Sequence, residues 1–185
     1  SGKTKGFVAY PRRDIMKHIV EKNNLAIIVN RQTVQDYFSF AGITDVACCH
    51  GTFYLGNRGQ DYCLPLYLYP EEHELDQSRR VNFEPKLYER LRKLVEGDKR
   101  GTPDELQVFD YIYGVLHCPE YRKRYAEFLK IDFPRIPWPK SPDDFWAVSE
   151  KGAELRKLHL MEPAAIGDAP YAFMGEGDNE VQKPE

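Results

Sequence analysis

The chain has 185 residues, 42% hydrophobic and 30% charged, with a mean hydropathy of −0.61, the arithmetic of one soluble globular domain or at most two very small ones. Membrane spans and collagen-like or low-complexity chains are excluded, and the 12 Tyr and 10 Phe supply enough apolar area for a real core. The net charge of −3 is unevenly placed: Glu162 to Glu185 carries −5, so the first 161 residues carry +2 and form a mildly basic body with an acidic tail. Cys48, Cys49, Cys63 and Cys118, in a chain with no apolar signal segment, point to free thiols and a cytoplasmic setting. Ser1-Gly2-Lys3 without an initiator Met reads as an expression-vector scar on a piece of a longer chain.

Residues 1–70 alternate short β-branched and aromatic runs with turn residues. Gly6 to Tyr10, Leu25 to Asn30, Tyr37 to Ile43, Val46 to His50 and Tyr62 to Tyr69 are expected strands. Between the first two, Pro11 to Val20 has apolar residues at 15, 16, 19 and 20, an amphipathic helix pattern. Gly56-Asn57-Arg58-Gly59 is a turn between antiparallel strands.

From residue 84 the period becomes helical, with Leu87, Leu91 and Leu94/Val95 as a seam and Gly97 placed to end the helix. Thr102-Pro103-Asp104-Glu105 reads as a capping box opening a buried central helix, followed by apolar residues at 106, 109, 112, 113 and 116. Glu120 to Lys130 predicts a third helix, and three prolines make Phe133 to Lys140 extended. Ser141 caps a fourth helix with an apolar face of Phe145, Val148, Gly152, Leu155 and Leu158. The expected fold is α+β: a mixed, largely antiparallel sheet in the N-terminal half (1–70) packed with a C-terminal bundle of three to four helices (84–161). The acidic segment 162–185 is expected to be loosely ordered.

Catalytic signatures are weak. Neighbouring residues on a strand face opposite ways, so Cys48 and Cys49 cannot both meet one ion beside His50, and no C-x-x-C occurs. Asp76, Glu84 and Lys86 form a nuclease-like set, but Pro85 interrupts the triplet where a helix begins. Phosphate-binding glycine loops and the Asn-Pro-Pro-aromatic signature of amino-methyltransferases are absent from the sequence.

Basic and amide side chains remain: Arg12, Arg13 and Lys17; Asn30, Arg31 and Gln32; Asn57, Arg58 and Gln60; and the pairs Arg79-Arg80, Lys99-Arg100 and Arg122-Lys-Arg124. Arg, Asn and Gln read purine edges by paired hydrogen bonds, and Arg and Lys neutralise phosphates. Solvated surface charge gives the same pattern, and the pI near 6.0 is not that of a dedicated basic binder.

Several segments occur in a telling order: Asn24-Leu-Ala-Ile-Ile-Val-Asn-Arg-Gln32, Ile43-Thr-Asp45, Leu64-Pro-Leu-Tyr-Leu-Tyr-Pro70, Phe109-Asp-Tyr-Ile-Tyr-Gly-Val-Leu-His117, Pro119-Glu-Tyr-Arg-Lys-Arg-Tyr-Ala126, Pro134-Arg-Ile-Pro137 and Gly152-Ala-Glu-Leu-Arg-Lys-Leu-His-Leu160. Together, over most of residues 7 to 161, they resemble the C-terminal specificity region of type ISP restriction–modification enzymes and related single-chain adenine methyltransferases. The resemblance implies a DNA target recognition domain over 1–161, without turnover of its own. Its partners would be double-stranded DNA and the methyltransferase domain of the same parent chain, which would bind S-adenosylmethionine and methylate adenine. It supplies no base-contacting residues. Arg12, Arg13, Lys17, Asn30, Arg31, Gln32, Asn57, Arg58 and Gln60 rest on side-chain chemistry and expected loop position alone. The alternatives from other classes are a protein–protein docking module and a small thiol or metal hydrolase built on Cys49 and His50.

Overall fold

A computed structural model describes residues 13–32, 41–48, 61–71, 73–168 and 174–176. Its centre is strand β1 (Ala26–Asn30), every residue of which is buried. β1 pairs antiparallel with β2 (Ala41–Thr44) on one side and β3 (Asp61–Pro65) on the other, in the order β2-β1-β3. Alternation along the strand gives each face its own core. Ile27 and Val29 face the helices, while Ala26 joins Ile19 and Cys63 on the opposite face.

Helix α1 (Arg13–Met16) is shorter than the pattern over Pro11 to Val20 predicts. It continues as tight turns, with Val20 N–H donating to the Met16 carbonyl at 2.8 Å, until Glu21 takes a positive φ of 56°. The expected strand Tyr62 to Tyr69 divides at Leu66: its N–H still donates to the Leu25 carbonyl at 2.8 Å, but the next N–H, that of Tyr67, is taken by the Asn24 side chain at 3.1 Å. Beyond it, β4 (Tyr67–Leu68) changes partner and pairs with β5 (Arg80–Val81). The described part of the expected strand Val46 to His50 is not a strand. Thr44 Oγ1 accepts from Val46 N–H at 3.1 Å and donates to the Val46 carbonyl at 2.8 Å, turning the chain out of the sheet. The expected strand Gly6 to Tyr10, the turn Gly56–Gly59, Cys49 and His50 lie outside the described residues.

Helix α2 (Pro85–Val95) buries Leu91 and Val95 but leaves Leu87 exposed. Glu84, one of the nuclease-like set, is its N-cap, with Oε2 accepting from Leu87 N–H at 2.7 Å. Gly97 has φ +82°, the left-handed stop expected there. Helix α3 (Glu105–His117) is the buried central helix. Its capping box sits two residues later than the sequence pattern indicates. Asp104 accepts from Gln107 N–H at 2.8 Å and Gln107 Oε1 accepts from Asp104 N–H at 2.9 Å, while Pro103 is buried just outside the helix. Asp104 and Gln107 satisfy both orphan donors reciprocally, which Thr102 and Glu105 do not do here.

The third expected helix is two short ones, α4 (Pro119–Arg124) and α5 (Ala126–Leu129), separated at Tyr125 (φ −108°, ψ 18°). Hydrogen bonds still run across the break, from Tyr125 N–H to the Tyr121 carbonyl and from Leu129 N–H to the Tyr125 carbonyl, so it is a local distortion. An extended strap, residues 132–140, follows. It is tied down by two tyrosines, Tyr111 Oη donating to the Pro137 carbonyl at 2.8 Å and Tyr121 Oη to the Arg135 carbonyl at 3.0 Å.

Helix α6 (Pro142–His159) begins at Ser141, whose Oγ accepts from Asp144 N–H. Its buried face is Phe145, Trp146, Ser149, Gly152 and Arg156, turned from the expected stripe so that Leu158 is exposed. The turn of the helix follows from its contact with α3. A Cβ on Gly152 would stand 1.8 Å from the Asp110 carbonyl oxygen, and Arg156 reaches the buried Asp110 carboxylate. At the start of the acidic segment, α7 (Pro163–Ile166) forms and Glu162 lies 3.5 Å from Arg156.

Candidate nucleic-acid interface

The end of β1 builds the best-defined part of the expected set. Asn30 closes the strand opposite Asp61, and the chain then emerges with Arg31 and Gln32 exposed. The Arg31 side chain is 56% exposed, with Nε 3.5 Å from Asp132 Oδ1 and its guanidinium 5.8 Å from the centre of the Phe133 ring. Phe133 is itself held edge-on by Tyr62 of β3 at 4.7 Å. A cation resting on an aromatic face is restrained without losing access to solvent. Arg31 therefore stands above the sheet end on a prepared support.

Asp132 also lies 3.9 Å from Nη2 of Arg135, an exposed residue whose guanidinium sits 4.9 Å from the Phe128 ring centre. Two arginines share one half-exposed carboxylate and keep planar donors at the surface. Such forks match phosphate and guanine edges. Arg135 was missing from the residues expected from the sequence. The available signal is an Arg held between Pro134 and Pro137 in an extended segment, which must project its side chain from the surface.

Asn30 differs from its neighbours. It is only 3% exposed, and its Oδ1 has no hydrogen-bond partner among the described residues. Its amide is thus inside the sheet end and not presented to an incoming ligand.

Lys17 is at the other end of β1. It pairs with Glu71, next to a turn that Asn24 ties to β4. Asn24 Nδ2 donates to the carbonyls of His18 and Tyr67, both at 2.8 Å, and its Oδ1 accepts from the N–H groups of Leu25 and Tyr67. His18 Nδ1 accepts from Tyr69 N–H at 2.9 Å, and burial together with Lys17 lowers its pKa. Five strand residues separate the two ends by roughly 17 Å, so Lys17 and Arg31 do not share a contact point. Arg13 belongs to α1; Arg12, Asn57, Arg58 and Gln60 lie outside the described residues.

Among the described residues the thiols and acids form no second site. Burial and the neighbouring Cys48 push the Cys63 thiol up to about 12, the opposite of what a nucleophile needs. Among the described residues no cluster of three metal-ligating side chains occurs, and no helix is long and apolar enough to cross a membrane.

The model of the Type ISP C-terminal specificity domain matches residues 3–185. The chain belongs to that family. The specificity domain is similar to solved structures of larger proteins. One is a cryo-EM structure of a DrdV–DNA complex, 27% identical with a TM-score of 0.59, covering 80% of this chain and 13% of that one. Another is the ATP-dependent Type ISP restriction–modification enzyme LlaBIII bound to DNA, 26% identical with a TM-score of 0.59, covering 79% and 9%. A third is a nuclease-deletion mutant of the Type ISP restriction–modification enzyme LlaGI with a DNA substrate mimic, 29% identical with a TM-score of 0.51, covering 75% and 10%. The chain therefore spans about a tenth of the length of these relatives. No curated protein matches it.

Proposed function

We propose that this specificity domain reads a short sequence in double-stranded DNA on behalf of a larger Type ISP restriction–modification enzyme. The observation that carries the reading is the family match over nearly the whole chain, joined to similar folds in three DNA-bound structures. In this reading the sheet end bearing Arg31 and Gln32 approaches base edges, and Arg135 on the strap neutralises a phosphate. Lys17, Arg12 and Arg13 extend the backbone contact, and Asn57, Arg58 and Gln60 supply further base contacts.

The domain performs no chemistry in this account. It holds the duplex in register while a methyltransferase domain of the same parent chain, with S-adenosylmethionine, acts on an adenine extruded from the stack. Extrusion removes a stacked pair, and a rigid surface gripping the flanking duplex offsets that cost. A cytoplasmic parent enzyme would fit free thiols such as the buried Cys63.

The test is the salt dependence of duplex binding. Each phosphate neutralised adds about 0.9 to the slope of log affinity against log salt. A slope of several units, reduced by about one in Arg135→Ala, is expected; binding that does not weaken with salt would sink the proposal.

A further inference from the structure

Arg31 meets the strap at Asp132 and Phe133; at the strap's other end, residues 137–140, the structure holds a cleft of about 740 Å³ between α4, the strap and the start of α6. Two aromatic rings open onto it, Tyr125 at 41% exposure and Trp138 at 39%. Each ring is braced by a neighbour. Tyr125 leans on Tyr121 at 5.2 Å between ring centres, and Arg90 lies over the Trp138 ring at 4.7 Å. Tyr121 is in turn fixed by its bond to the Arg135 carbonyl. Large, rigid aromatic faces exposed to water carry an unfavourable hydration cost that a planar apolar ligand removes.

Lys123, Arg124 and Lys140 also line the cleft and are exposed. None of the three makes an ion pair among the described residues, unlike Lys93, Lys130, Lys151 and Arg100 elsewhere in the helical half. Two carboxylates, Glu120 and Asp144, reach the cleft as well, which leaves it with one net positive charge. Cations therefore stand uncommitted beside two stacking faces.

We propose that this cleft binds an unpaired segment of nucleic acid, one or two bases stacking on Tyr125 and Trp138 while Lys123, Arg124 and Lys140 hold the adjoining phosphates. Duplex DNA presents phosphates and base edges but keeps its base faces stacked, so it has no use for ring platforms in a cleft. An unpaired strand offers both a π-face and a phosphate at every step, and each stacked base strengthens binding about 5- to 150-fold. The cavity volume is in the range that encloses a small organic ligand. The site is separate from the duplex surface proposed at Arg31.

Tryptophan fluorescence provides a direct test, because the other tryptophan, Trp146, is buried at 5% exposure. The whole 185-residue chain is titrated with fluorescently labelled oligothymidylate of about a dozen nucleotides, which forms no duplex, and with a duplex of the same length. Expected is quenching of Trp138 by the single strand, with affinity falling with salt at a slope near −2 for three cations. Trp138→Phe abolishes the quenching but keeps affinity as read from the labelled strand. Tyr125→Ala weakens binding about tenfold, and Lys123→Gln with Arg124→Gln and Lys140→Gln flattens the salt dependence. These are exposed side chains, and an unchanged melting temperature verifies the fold. Absence of single-strand binding, binding without Trp138 quenching, or stronger quenching by the duplex overturns the proposal. Arg31→Ala, which weakens duplex reading, leaves the single-strand titration unchanged, so the two readings fail separately.

Discussion

Arg156 and Asp110 form a two-pronged ion pair inside the helical half, Nε to Oδ1 at 2.7 Å and Nη2 to Oδ2 at 3.2 Å, with both side chains almost wholly withdrawn from water. The pair joins α6 to α3 next to the point where Gly152 lets the two backbones approach. Removing Arg156 leaves the Asp110 carboxyl buried without its partner, and removing Asp110 leaves Arg156 only the more distant Glu162. Asp110→Ala or Arg156→Ala is expected to lower stability by about 3–5 kcal/mol, whereas replacing both with apolar residues of similar size costs little or even stabilises. Urea unfolding of the two single variants and the double variant checks the difference.

Gly152 admits no side chain. Its added Cβ would lie 1.8 Å from the Asp110 carbonyl oxygen and 3.0 Å from Gly114 N. Gly152→Ala therefore forces α3 and α6 apart and is expected to cost at least the 1–3 kcal/mol typical of overpacking, despite alanine's better helix propensity. Gly97→Ala serves as the contrast. No atom lies within 4 Å of its added Cβ, so only the strain of its positive φ, about 1 kcal/mol, is expected. Thermal unfolding of both variants distinguishes steric from conformational cost.

Acid should weaken the domain through His117. Burial first, then the Arg122 and His159 charges, bring its pKa down to about 4, and Nη2 of Arg122 stands 3.2 Å from Nδ1. The unfolded chain takes up a proton near pH 6.5, which the folded form refuses until about pH 4. Stability is therefore lost as pH falls from about 6.5 to 4 and is flat above that window. His18, lowered by burial and Lys17, acts in the same direction. Melting temperature against pH should show this slope, and His117→Gln should reduce it.

Much of the fold was legible because its signals are local. The Ser141 cap, the Gly97 stop and the proline-held strap each depend on a few adjacent residues and appear where the sequence places them. The α3 cap was displaced by two residues because two acidic capping patterns overlap, and only the bonds made by Asp104 and Gln107 decide between them. The buried face of α6 departs from the expected stripe because apolar period cannot reveal that Arg156 pairs with a carboxylate 46 residues away. The same limit applies to the candidate site. Arg31 was visible from its chemistry, but its support on Asp132 and Phe133, and the partnership with Arg135, exist only once the strap is laid beside β1.

Asp132 provides a test of that partnership. Its carboxylate restrains both arginines and repels DNA, so Asp132→Asn is expected to raise affinity for all duplexes and to relax discrimination, since Arg31 then loses its orientation. Competition between duplexes of different sequence, at fixed salt, measures both effects.

The central claim is sequence reading, and selection of bound duplexes from a randomised pool at moderate salt addresses it most directly, performed with the specificity domain and with Arg31→Ala. The account predicts enrichment of one short motif by the parent domain, and loss of preference at one base pair in the variant, worth about 1–3 kcal/mol. Salt-sensitive binding with no enriched motif, or an identical motif and identical preference in Arg31→Ala, would contradict it.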